Sequence, residues 1–126
     1  MSSALDSRAK LFKVLSHPAR LRILEVLRHG EACVCHLGAL LGYPQAYISQ
    51  QLAVLRGAGL LSDRKEGLYV YYHATDPRLF DMLQIARDLV GAAPGPTVTP
   101  KALAEAARAA GCPCPLCASG ERVVAA

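Results

Sequence analysis

The stretch that decides the fold is residues 41–60, LGYPQAYISQQLAVLRGAGL. Ile48, Leu52 and Leu55 recur about one helical turn apart in it, which predicts a helix with one buried stripe. A shorter segment with helical spacing, CVCHLGALLG, precedes it and ends near Gly42. Two short helices joined by a glycine turn are typical of a helix-turn-helix, in which the second helix enters the DNA groove.

The segments on either side extend this prediction to a whole domain. A change from helical spacing to short runs rich in aromatic and β-branched residues predicts a β-hairpin after the helix-turn-helix. The sequence therefore predicts a mainly α fold with a small β-hairpin, the order of elements of a winged helix-turn-helix. In chain order, the flanking predictions are helices over 3–15 and 16–30, hairpin strands over 60–64 and 68–74, and a helix over 76–91.

Length and composition fit one domain followed by a tail. The chain has 126 residues, of which 52% are hydrophobic and 19% charged, as expected for a folded protein. We expect a DNA-binding and dimerisation domain over 1–90, a Pro/Gly linker over 91–100, and an Ala-rich helix with a Cys-rich tail over 101–126. Its formal net charge of +4 suits nucleic acid without requiring it.

Several classes of protein are disfavoured by the sequence. No apolar run approaches the ~20 residues that cross a bilayer, so we expect a cytoplasmic protein without a membrane partner. There is no paired nucleophile and base, no phosphate loop and no cofactor motif, so we expect neither an enzyme nor a small-molecule substrate. In a reducing compartment the 5 cysteines favour metal or redox chemistry over a disulfide framework.

Four sequence motifs occur in order within roughly residues 10–90. They are LSHPARLRILEVL at 15–27, EACVCHL at 31–37, the helix-turn-helix stretch at 41–60, and RKEGLYVYYH at 64–73. Together they resemble the ArsR/SmtB family of bacterial metal-sensing repressors. The resemblance implies a homodimer that occupies operator DNA and releases it when an ion binds to cysteine thiolates.

The predicted DNA contacts lie on the second helix of the helix-turn-helix and on the hairpin, or wing. Glutamine pairs bidentately with adenine, serine donates or accepts, and tyrosine reaches phosphate or a thymine methyl, whereas arginine and lysine attract phosphates. The alternative is that these side chains only form a polar, solvated helix face without a role in DNA binding. The candidate base readers are Gln45, Tyr47, Ser49, Gln50 and Gln51, and the candidate phosphate contacts are Arg56, Arg64 and Lys65, with Arg20 and Arg22 as further basic positions.

A dimer seam is predicted on the first and last helices, because the last helix is apolar on more than one face. The predicted contacts are Leu5, Phe12, Leu79, Leu83, Ala86 and Val90. The same helix bears Asp81 and Asp88 but no histidine, so we discount the second, Asp/His metal site that the resemblance would otherwise imply there.

Cys33 and Cys35 are the first candidate metal ligands. With both in one regular helix their side chains would point about 200° apart, so an ion bound by both must deform the helix's first turn. The alternative is that both are small buried core residues. We expect the neighbouring His36 to be a solvated surface residue, with ligation of a borderline metal such as Zn(II) as the alternative.

Soft thiolates select thiophilic ions, namely As(III), Sb(III), Cd(II), Pb(II) or Zn(II). The resemblance implies arsenite where a third cysteine follows Cys35 by three positions, but that position is Gly38. The third thiolate would then come from Cys112, Cys114 or Cys117, in the same chain or across the dimer, unless these three form a site of their own. The alternatives within the fold are a Cd(II), Pb(II) or Zn(II) sensor and a sulfur or redox sensor.

Overall fold

The computed structural model describes residues 3–91, together with positions 105 and 109, which are helical and exposed. Five helices and three strands make up the described domain. They are α1 Ala4–Leu15, α2 Pro18–Leu27, β1 Ala32–Cys33, α3 Val34–Leu41, α4 Gln45–Gly57, β2 Leu61–Glu66, β3 Tyr69–Ala74 and α5 Arg78–Leu89. The predicted linker over 91–100 and the tail over 101–126 otherwise lie outside the described residues.

The first two helices begin at recognisable sequence signals. Ser3 Oγ accepts a hydrogen bond from the Asp6 amide at 3.1 Å, and the Asp6 carboxylate accepts one from the Ser3 amide at 3.2 Å, which closes a capping box. The second helix starts at Pro18, whose missing N–H is no loss at a first helical position.

The helix-turn-helix has the predicted geometry. Gly42 ends α3 in the left-handed conformation with φ of 75°, which a glycine adopts without steric cost. The second helix of this motif, α4, has Pro44 at its N-cap, and no side chain there caps the helix with a hydrogen bond. Ile48, Leu52 and Leu55 are fully buried on one stripe of α4, as predicted. Their burial turns the opposite face of α4 to solvent.

The wing is an antiparallel hairpin of β2 and β3, closed by a turn at Gly67 with φ of 60°. A third strand, β1, pairs with β3 through Ala32 opposite Tyr72 and Cys33 opposite Tyr71, in the order β1-β3-β2. The sequence prediction contained only the hairpin, because a two-residue strand is too short to show a period. Through β1, the segment just before α3 is hydrogen-bonded to the wing.

The last helix lies at the edge of the core. Leu79, a predicted seam contact, is only 7% exposed and belongs to the core cluster, so it packs within its own domain and offers little surface to a second copy. It lies in the first turn of α5, where the helix meets the domain. The other seam candidates lie further out: Leu83 is half-buried, Ala86 is exposed, and Leu5, Phe12 and Val90 are 66%, 57% and 79% exposed.

Within the described residues, no helix is both long enough and apolar enough to cross a membrane.

Candidate nucleic-acid interface and thiol site

The solvent face of α4 carries most of the predicted base readers. Gln45, Ser49 and Gln50 are exposed on it, and Tyr47 is half-buried beside them. Hydrophobic burial of the opposite stripe holds this face outward. It presents amide and hydroxyl groups, the side chains that recognise base edges in the major groove.

Gln51 does not belong to this face, and its prediction as a base reader is wrong. Its side chain is 7% exposed, and its Oε1 accepts a hydrogen bond from Arg20 Nε at 2.8 Å. Arg20 Nη1 also donates to the carbonyl oxygen of Val14 at 3.1 Å. Position 51 lies three residues after Ile48 and therefore falls on the buried side of the helix. Arg20, named as a basic position, is used to join α1, α2 and α4.

An aromatic group that sequence reasoning did not include stands at the start of α4. The rings of Tyr43 and Tyr47 lie with their centroids 5.2 Å apart, at an interplanar angle of 57°. Arg22 Nη1 donates to the Tyr43 hydroxyl at 2.6 Å. The four-residue spacing of the two tyrosines was the available signal, but Tyr43 precedes the helix. The group fixes the Tyr47 ring beside the exposed face.

The basic candidates differ in how their charges are used. Arg56 Nη1 lies 2.6 Å from an Asp63 carboxylate oxygen. Arg64 makes ion pairs with both Glu31 and Glu66. The hydrogen bonds that it donates to these carboxylates, the one to Glu31 first, raise the pKa of Arg64 above its usual range. Lys65 is exposed and makes no ion pair within residues 3–91.

Cys33 and Cys35 do not share one regular helix. Cys33 is the last residue of β1 and the N-cap of α3, with extended backbone, and its Sγ accepts a hydrogen bond from the His36 amide at 3.4 Å. Cys35 lies in the first turn of α3 and is half-buried. The angle predicted for two thiols in one helix therefore does not apply. Binding of one ion by both sulfurs would instead compete with the hydrogen bond from the His36 amide to Cys33 Sγ, which caps α3.

The surroundings of this pair are apolar. Cys33, only 3% exposed, and the fully buried Tyr71 form a small cluster, against which Cys35, Leu40 and Tyr69 pack. His36 is fully buried, so its prediction as a solvated surface residue is wrong. It lies in the first turn of α3 beside the core residue Leu37. Within the described residues, Cys33 is therefore shielded from water, whereas Cys35 remains partly exposed.

Comparison with known proteins agrees with this geometry. A family model described as "Bacterial regulatory protein, arsR family" matches residues 17–63. The chain is 35% identical over 85 residues to an HTH-type transcriptional regulator of Methanocaldococcus jannaschii, covering 67% of this chain and 96% of that protein. The chain belongs to the ArsR family.

Two further proteins place this ArsR-family chain among regulators. It is 48% identical over 64 residues to the arsenical resistance operon repressor of Escherichia coli, covering 50% of this chain and 55% of that one. The solution structure of a homodimeric winged helix-turn-helix DNA-binding domain from Mycobacterium bovis matches it with a TM-score of 0.62 and 33% identity, covering 67% and 81% of the two chains. The chain is a winged helix-turn-helix transcriptional regulator and not an enzyme.

Only two of the five predicted cysteine ligands, Cys33 and Cys35, lie within the described residues. Within residues 3–91 and at positions 105 and 109, no three His, Cys, Asp or Glu side chains form a group that could hold an ion. Cys112, Cys114 and Cys117 lie outside the described residues. At Gly38, a Cβ atom would lie 3.4 Å from the Tyr43 carbonyl oxygen, an ordinary contact. The fold therefore has space for a Cβ atom at position 38, where this chain has glycine.

Proposed function

We propose that this chain is a transcriptional repressor that binds operator DNA as a homodimer and is released by a thiophilic ion, arsenite first among them. The position of Cys33 carries the proposal. The residue ends β1, which pairs with wing strand β3, and caps α3, which packs against α4. An ion bound there acts on both DNA-reading elements at once.

In the DNA complex, α4 would lie in the major groove. Gln45, Ser49 and Gln50 would meet base edges, because they form its exposed polar face. Tyr47, fixed by Tyr43, would contact a phosphate or a thymine methyl, and Lys65 would attract backbone phosphate. Arg56 would add to that attraction after exchanging its partner Asp63 for phosphate.

A homodimer would place two such helices on successive half-sites of a palindromic operator, about 34 Å apart. Apolar side chains exposed on two helices support this assembly. Leu5 and Phe12 of α1 and Leu89 of α5 are 66%, 57% and 82% exposed, and burying them against a second copy would remove apolar surface from water.

For the ion, Cys33 and Cys35 would supply two sulfurs, and one of Cys112, Cys114 and Cys117 the third. Arsenite condenses with three thiols to give three As–S bonds and three waters, with no net proton released. Sb(III) would react in the same way. Cd(II) and Pb(II) would instead displace three protons, so their affinities should fall steeply with falling pH.

Release would begin at the α3 cap. If Cys33 Sγ turns toward an ion shared with Cys35, the His36 amide loses its acceptor. Losing an oxygen N-cap typically costs ~0.5–2 kcal/mol, and a sulfur cap, as a weaker acceptor, lies at the lower end of that range. A coupling of ~1–3 kcal/mol weakens ligand binding about 5- to 150-fold, so loss of the cap in both protomers of a dimer is of the right size. The altered first turn would move α3 against α4 and shift the recognition face.

The test is an assay of DNA release in which fluorescence anisotropy measures the fraction of DNA still bound. A labelled DNA fragment, selected from a random library by the ion-free protein, is titrated with arsenite, antimonite, Cd(II), Pb(II) or Zn(II). We expect arsenite to release the DNA from the parent but not from the Cys33→Ser/Cys35→Ser chain. The arsenite midpoint should be nearly independent of pH, whereas that of Cd(II) should rise as the pH falls.

A matched control separates the two groups of cysteines. The Cys112→Ser/Cys114→Ser/Cys117→Ser chain should bind DNA normally and respond only at much higher arsenite concentration. A normal response in that chain would exclude the tail as the source of the third sulfur. A normal response in the Cys33→Ser/Cys35→Ser chain would refute the proposed function, and release by oxidant without any ion would favour thiol redox sensing.

A further inference from the structure

A row of side chains on one face of the sheet joins Cys33 to the wing. Tyr71 of β3 stands opposite Cys33 of β1 and opposite Arg64 of β2, and directly opposed residues project to the same face. Tyr71 is fully buried and packs against Cys33. The guanidinium carbon of Arg64 lies 4.9 Å from the Tyr71 ring centroid, within cation–π distance. Contact is therefore continuous from a candidate ion-binding thiol to the wing.

A second connection runs through Glu31, two residues before Cys33. The Glu31 side chain is only 6% exposed, and both of its oxygens accept hydrogen bonds from Arg64, with Nε donating at 3.1 Å. Arg64 Nη1 also donates to Glu66 at 2.7 Å. Two carboxylates and one aromatic face thus surround a single guanidinium. Each of its three nitrogens donates to a carboxylate oxygen, and the two carboxylates more than compensate its single positive charge.

We propose that Arg64 is the positioning residue through which occupancy of the Cys33–Cys35 pair is transmitted to the wing, and that it does not bind DNA phosphate. This inference rests on the proposed function. When β1 shifts with Cys33, Glu31 and Tyr71 shift with it, and both hold the Arg64 guanidinium. Strand β2 must follow, and with it Lys65, the adjacent residue that meets phosphate.

An alternative role for the same contacts is structural support alone, since a buried carboxylate needs a partner. Support alone would change stability without changing the response to an ion. Direct phosphate binding by Arg64 would change the salt dependence of DNA affinity. The three roles therefore differ in measurable quantities, provided that stability, salt dependence and ion response are recorded on the same full-length variants.

The first readout needs no ion. Each phosphate contact adds about 0.9 to the slope of log affinity against log salt, or roughly 2 for the two copies in a dimer. We expect Lys65→Gln to reduce the slope by roughly that amount and Arg64→Gln to leave it unchanged. A slope reduced as much by Arg64→Gln as by Lys65→Gln would overturn the proposal.

The second readout is the ratio of DNA dissociation constants with and without bound arsenite, for the parent, Glu31→Gln, Arg64→Gln and Arg64→Lys. We expect Glu31→Gln and Arg64→Gln to lower the ratio at least about fivefold from a parent value within the typical 5- to 150-fold range. The double variant Glu31→Gln/Arg64→Gln should have nearly the same ratio as either single variant. The ratio for Arg64→Lys should lie between those of Arg64→Gln and the parent. Arsenite bound per chain should stay the same in every variant.

Circular dichroism shows which variants are folded. If Arg64→Gln is not folded, the ratios measured for Glu31→Gln and Arg64→Lys test the inference in its place. A parent ratio retained in the folded variants would overturn this inference and leave the proposed function intact. A ratio of one in the parent itself would refute the proposed function, and the inference with it.

Discussion

The replacement of Gln51 by alanine tests the assignment of faces on α4. The parent side chain is buried and accepts a 2.8 Å hydrogen bond from the Arg20 guanidinium, and such bonds to charged groups contribute ~1.5–3 kcal/mol. Arg20 keeps its bond to the Val14 carbonyl oxygen, so we expect the lower part of this range, about 2 kcal/mol of unfolding free energy. For a domain of this size, that corresponds to a melting temperature lower by roughly 8–16 °C.

The matched control is Gln50→Ala, one residue away on the exposed face. It should leave the melting temperature within a few degrees of the parent value and reduce discrimination at one base pair by ~1–3 kcal/mol, whereas Gln51→Ala should leave base preference unchanged. Gln51→Glu should retain most of the stability, because its carboxylate can still accept from Arg20.

Thermal unfolding at fixed protein concentration and affinities for single-base variants of the selected DNA measure the two effects. If Gln51→Ala lost base discrimination at full stability, the face assignment would be refuted.

Three further predictions follow from single positions. Gly38→Cys, introduced into the Cys112→Ser/Cys114→Ser/Cys117→Ser chain, should restore the arsenite response in the anisotropy assay, because position 38 lies one helical turn after Cys35 and its backbone has space for a Cβ atom. No gain in response would contradict a three-sulfur site at α3. Phe12→Glu should convert dimer to monomer in sedimentation, whereas Leu68→Glu at the 95% exposed wing tip should not. Burial and, secondly, the charge of Arg28 lower the pKa of His29, while Glu25 opposes the shift, so the folded state binds a proton less readily than the unfolded state. The free energy of unfolding should therefore be highest above pH 6.5 and fall as the pH drops toward the lowered pKa. In urea titrations at pH 5–7, His29→Asn should reduce this fall.

The elements that sequence reasoning found were those with a strong local cause. The stripe of Ile48, Leu52 and Leu55 is sufficient to predict both α4 and its buried side. The fold class could be predicted because helical period, glycine stops and strand composition all agreed. These are short-range signals that one segment carries by itself.

The errors concern residues whose environment is set by distant parts of the chain. The sequence places Cys33 in a helix, because only its pairing with Tyr71, 38 positions away in β3, shows that it belongs to a strand. Gln51 and His36 are polar residues that tertiary packing buries, against the usual preference of their type. Glu31 was missed as part of the site because its partner, Arg64, comes from another element.

The measurement that tests the central claim most directly is X-ray absorption at the arsenic edge, on the full-length protein loaded with one equivalent of arsenite. The account predicts a first shell of three sulfur atoms in the parent, with sulfur neighbours replaced by oxygen in the Cys33→Ser/Cys35→Ser chain. A shell of three sulfurs that is unchanged in the doubly substituted chain would contradict it.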